Sequence, residues 1–221
     1  MAVIFAEWAV GGYAAREHLG RAATPPVADL TAIDPITADE IRAEIALCHT
    51  PEHWAELGVM YFVTGCFPES EACLREASAR APANADFAFK HAYALERLGR
   101  LEESNAEYET TVRLEHPRTA DCWYYVGKNY LRREQAGPAK AAFERAGALP
   151  GARYELALLR ARAGEVSQAD AEARRLSEEF PAAFEPVSLR YRLALARNDT
   201  AAADALADEF ARRPEPLRTP F

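Results

Sequence analysis

Cys48, His49 and His53, with Glu52 nearby, form the one cluster in this sequence with metal-ligand character. Their spacing matches no standard zinc arrangement, and Pro51 sets the cluster across a junction between two helices. Both histidines are therefore expected at helix ends, and no metal is expected. No nucleophile elbow presents a serine, and no glycine-rich loop is available to cradle a phosphate. The carboxylate pairs Glu102-Glu103 and Glu178-Glu179 suit solvated helix faces. No catalytic residue and no cofactor is expected. What remains to the chain is non-covalent chemistry, the burial of rings and charge-assisted hydrogen bonds to a partner.

The totals agree with that restriction. Across 221 residues the net charge is −8, which speaks against nucleic acid as a partner, since such proteins carry a basic stripe. A hydrophobic share of 49% with 27% charged residues is ordinary for a globular chain long enough to bury a core. Alanine, leucine, glutamate and arginine fill most segments, and no sustained β-branched alternation occurs, so the chain reads as all-α. Cys48, Cys66, Cys73 and Cys122 form no Cys-x-x-Cys pair and are expected as free thiols, mostly buried.

The elements that must position any binding group are set out between Trp54 and Pro82. Trp54, Leu57, Gly58 and Tyr61 fall at i, i+3, i+4 and i+7, on one face of a helix. Gly65 ends that helix, Ala72, Leu74 and Ala77 mark a second, and Pro82 closes the pair. The unit recurs. Phe87, Ala92, Leu95, Gly99 and Tyr108 form a second copy, 34 residues on from Gly58 to Ala92 and from Gly65 to Gly99. Trp123, Val126, Gly127 and Tyr130 begin a third, followed by Ala139, Phe143 and Ala146. Fourth and fifth copies are carried by Tyr154, Ala157, Gly164 and Ala169, then by Val187, Tyr191, Ala194, Asn198 and Ala203. The closing prolines Pro82, Pro117, Pro150, Pro181 and Pro214 are 35, 33, 31 and 33 residues apart.

Ahead of the repeats, residues 1–20 are apolar around Phe5 and Trp8, but too short to span a bilayer, which takes about 20 apolar residues. Three alternatives stand for this segment: a helix docked on the body, part of a membrane anchor, or a helix that binds a partner or a second copy. The compartment follows from that choice, cytoplasmic by default and membrane-anchored or exported if the segment is an anchor. Residues 21–36, with Pro25-Pro26 and Pro35, read as an extended linker. Thr37-x-x-Glu40 reads as a capping box opening a leading helix over 37–50, and Thr50-Pro51 as the cap and first residue of the next. Repeats are expected at about 51–83, 84–118, 119–150, 151–182 and 183–214, with a tail at 215–221.

These features resemble the tetratricopeptide repeat family, whose pattern is met by Trp54, Leu57, Gly58, Tyr61 and Pro82, and in its second-helix part by Ala139 and Phe143. Ser70 and Ser104 stand where the family prefers alanine, Ala92 and Ala157 where it prefers glycine, and Glu134 at a turn glycine. The resemblance implies a right-handed superhelical solenoid of about five helix-turn-helix repeats, with the first helices lining a concave side. It also implies a non-catalytic scaffold or adaptor that holds a protein or peptide. A structural module tethered or self-associated through the N-terminal segment is the alternative.

With the stacking stripe occupied, the next stripe round each first helix is expected to face the groove. It supplies Val59 and Phe62, then Phe89, Tyr93 and Arg97, then Tyr124, Lys128 and Arg132, then Tyr154 and Arg162. Aromatic and basic as a whole, it suits a ligand with apolar and acidic side chains. Chaperone-binding members of the family clamp a terminal carboxylate with several cations. The matching positions here are Ala55, Val59, Tyr93, Tyr124 and Lys128, and a single lysine does not make a clamp.

Overall fold

A computed structural model describes residues 23–212. The expected N-terminal helix over 1–20, the closing Pro214 and the tail lie outside them. Among the described residues the chain forms 11 helices and no strand, packed as consecutive pairs. It divides after Thr119 into two compact units.

In the first unit α1 spans Pro35–Leu47, α2 Pro51–Val63, α3 Phe67–Arg80, α4 Ala85–Arg97 and α5 Leu101–Arg113. The leading helix starts earlier than the capping-box pattern suggests. Asp34 is its N-cap and accepts a 3.0 Å hydrogen bond from the Thr37 amide. Pro35 follows at the first helical position, where its φ is already helical and its missing N–H leaves nothing unsatisfied. The bonds from Thr37 also hold the Asp34 carboxyl below the usual carboxylate range. Thr50 caps α2 as expected, accepting from the His53 amide ahead of Pro51.

Trp54, Leu57 and Tyr61 of α2 are buried in one cluster with Cys73, Leu74 and Ala77 of α3 and Ile41 of α1. The segment ahead of α1 joins the same cluster through Ala28 and Leu30. Tyr61 donates a 2.7 Å hydrogen bond to the Pro26 carbonyl. The Pro-containing stretch is therefore extended but strapped onto the first hairpin, because Ala28 and Leu30 are covered there.

In the second unit α6 spans Thr119–Arg132, α7 Ala136–Ala146, α8 Pro150–Arg162, α9 Val166–Glu179, α10 Glu185–Ala196 and α11 Thr200–Ala211. Its core is a chain of clusters, centred on Phe143 and Ala139, then on Ala157 and Leu189, then on Val187 and Ala194. Pro150 does not close the third repeat. It opens α8 at the first helical position, where proline is as well suited as after a helix.

The turn inside each hairpin needs one left-handed residue. Gly65, Gly99 and Gly164 supply it with φ of +84°, +75° and +82°. Glu134 and Asn198 take the same role at +60° and +56° without being glycine.

Candidate functional site

α2 and α4, the first helices of successive hairpins, touch directly. Beside them lies a cavity of about 550 Å³. Its apolar lining is Ala55, Val59, Met60 and Phe87, and its charged lining is Glu44, Glu52, Glu56 and Lys90. Ala55 and Phe87 are buried, whereas Val59 keeps 37% of its surface exposed. Lys90 is paired with Asp86 on its own helix, so the three glutamates set the sign of the site. Glu44 reaches it from α1, and Phe87 and Lys90 lie off the stripe expected to face the groove. The sequence therefore showed only part of this site. A surface built from three helices has no single periodicity to betray it.

The expected binding residues of the first unit separate into two groups. Phe62, Tyr93 and Arg97 are linked through a row of contacts that includes Phe67. The Phe62 ring lies 5.1 Å from that of Tyr93 and meets Phe67 edge-on at 5.3 Å, while the Arg97 guanidinium sits 4.9 Å over Phe67. This partly exposed aromatic and cationic cluster belongs with Val59 on the α2 and α4 surface. Phe89 does not join it. The ring is 8% exposed, stacked on His116 at 5.3 Å, edge-on to Tyr108, with Arg118 over it. It is packing material, because the side of α4 that bears it faces α5 and the turn after it.

In the second unit Tyr124 is half-buried, with its ring 6.0 Å from Phe143 and against the backbone of Gly151. Lys128 pairs with Glu155 at 2.8 Å. Burial pushes the Tyr154 phenol up, and Arg192 opposes that shift. Arg132 and Arg162 are exposed at the ends of their helices.

The cysteine and histidine cluster is rearranged. Cys48 is buried in the core, His49 is exposed with its carbonyl accepting from Arg80, and His53 turns toward α1. There its Nδ1 lies 2.6 Å from Glu44 Oε1 and 3.7 Å from Glu56 Oε2. Glu44, His53 and Glu56 are the one grouping of metal-ligand type among the described residues. The short His53 contact ties α1 to α2. None of the four cysteines is in a disulfide. Among the described residues, no helix is long and apolar enough to cross a membrane.

This architecture is the tetratricopeptide-repeat fold, and solved structures of that kind superpose on it. Pseudomonas aeruginosa PilF matches with a TM-score of 0.66 at 19% identity over 91% of this chain and 90% of its own. PilW, described as a widely conserved type IV pilus biogenesis factor, matches at 0.66 and 18% identity over 92% and 93%. YrrB, described as a TPR protein with an unusual peptide-binding site, matches at 0.58 and 15% identity over 79% and 89%. No family model and no curated protein sequence matches the chain.

Proposed function

We propose that the chain is a non-catalytic scaffold whose α2 and α4 surface holds an extended or helical segment of a partner protein. The observation that carries this is the cavity of about 550 Å³ with Val59 exposed on its apolar lining. An apolar side chain of the partner fills it against Ala55, Val59, Met60 and Phe87. Phe62 and Tyr93 extend the apolar surface along the same helices. Glu44, Glu52 and Glu56 favour lysine or arginine beside that anchor, so at the first repeat the preferred neighbours are basic and not acidic. The peptide-binding site named for YrrB, a protein of the same fold, supports this class of partner.

The test is selection from a random peptide library by the full chain. Enriched peptides should place lysine or arginine next to a leucine, isoleucine or phenylalanine. The half-exposed Val59 can be changed to arginine without disturbing the core, and Val59→Arg should abolish their binding at an unchanged melting temperature. Enrichment of acidic peptides, or equal binding by the variant, defeats the proposal.

A further inference from the structure

A second site lies away from that surface, where α3, α4 and α5 come together. Its starting point is Glu71, buried on α3, whose two oxygens both accept from Arg75 Nη1 at 3.0 Å and whose Oε1 also lies 3.1 Å from Arg100 Nη1. Both of its oxygens act there as acceptors. His91, 6% exposed, places Nε2 3.3 Å from the same Oε1, so the ring proton belongs on Nε2. That leaves Nδ1 as a bare acceptor, and it has no hydrogen-bond partner. Facing it at 3.7 Å is Glu107 Oε1, beyond hydrogen-bond distance and itself an acceptor. Ser78 Oγ, on α3, is likewise buried and without a partner.

His91, Ser78 and Glu107 line one cavity of about 270 Å³, with Ala79 and Ala88 among its walls and Arg75 beside them. The charges around it do not cancel. Arg75 and Arg100 are held on Glu71, and Arg100 also grips Glu103, while Glu107 has no ammonium or guanidinium paired with it among the described residues.

We propose that this cavity is a binding site for an alkylammonium group, namely the side chain of a lysine on a partner protein. An ammonium carries three donors and no acceptor, which matches the three groups offered by His91 Nδ1, the Glu107 carboxylate and Ser78 Oγ. Its methylene stem lies against Ala79 and Ala88, and its charge supplies the one that Glu107 lacks. A carboxylate or phosphate is repelled by the Glu107 carboxylate and by the lone pair of His91 Nδ1. The site depends on no feature of the α2 and α4 surface.

The experiment follows the imidazole nitrogens of His91 by 15N NMR in the full chain at neutral pH, titrated with Nα-acetyl-lysine methylamide. Before addition Nε2 should be protonated and Nδ1 bare, and Nδ1 should then show a saturable shift. The Nε-acetylated compound should bind at least about tenfold more weakly, having lost the charge. Glu107→Gln, at a part-exposed side chain, should lower the affinity by about tenfold without moving the melting temperature. Ser78→Ala should weaken binding by a smaller factor. Val59→Arg should leave the titration unchanged, which separates this site from the peptide surface. A proton already on Nδ1 before ligand is added, a titration that does not saturate, or equal binding of the acetylated compound overturns the proposal.

Discussion

Ser70 Oγ donates a 2.7 Å hydrogen bond to the main-chain carbonyl of Gly58, joining the two helices of the first hairpin at their closest approach. The same bond recurs one repeat later, from Ser104 Oγ to the Ala92 carbonyl at 2.8 Å. Both hydroxyls are fully buried, so each must find an acceptor, and the facing helix offers one. The two serines that depart from the alanine of the repeat pattern are thus accommodated by the backbone opposite.

Ser70→Ala removes the donor together with its need for a partner, and the Gly58 carbonyl still accepts within its own helix. The expected loss is about 1 kcal/mol, measured by urea denaturation. Ser70→Val, which adds volume and no donor, should lose more.

Close approach also sets the cost of a side chain at the glycines. A Cβ at Gly58 would lie 2.7 Å from Leu74 Cγ, and one at Gly127 would fall on the Phe143 ring. Gly127→Ala should destabilise by about 1–3 kcal/mol, outweighing the roughly 1 kcal/mol that alanine adds to helix propensity. A rise in the melting temperature would show that α6 and α7 separate freely.

Glu134 occupies, at a φ of +60°, the turn position that Gly65, Gly99 and Gly164 fill in other hairpins. Glu134→Gly should relieve about 1 kcal/mol of backbone strain and raise the melting temperature. The reverse change, Gly65→Ala at φ +84°, meets no neighbouring atom and should cost a similar amount through the backbone alone.

The thiols give a prediction with a pH sign. Burial pushes Cys48 up to about 12 from 9.0, and shifts Cys73 in the same direction. A group with a raised pKa in the folded state contributes stability in full below its unfolded value and loses it as pH rises toward the folded value. The free energy of unfolding should therefore fall from about pH 9 upward, and Cys48→Ala should flatten that fall. Iodoacetamide at pH 8 should label the half-buried Cys66 well before Cys48, Cys73 or Cys122, read by mass spectrometry of the native protein.

The packing of each hairpin was legible in the sequence because it is local. Trp54, Leu57, Gly58 and Tyr61 share a face through the period of one helix, and the spacing of 34 from Gly65 to Gly99 repeats that face down the chain. Even Glu134 and Asn198 stand where that spacing places the left-handed turn residue. The sites were legible only in part. Val59, Phe62, Tyr93 and Arg97 could be placed on an open stripe, but Phe89 on the same stripe is buried, because His116, Tyr108 and Arg118 close over it.

Sequence alone thus determined the all-helical repeat, its turns and the residues that stack it, all consequences of contacts a few residues apart. Tertiary structure alone decided that residues 23–30 strap onto the first hairpin, and that Glu44 joins Glu52 and Glu56 around an apolar cavity. It also brought Glu71, His91 and Glu107 from three helices to one point. The physical reason is that each of these depends on how side chains from separate helices meet, and no spacing within a single helix encodes that.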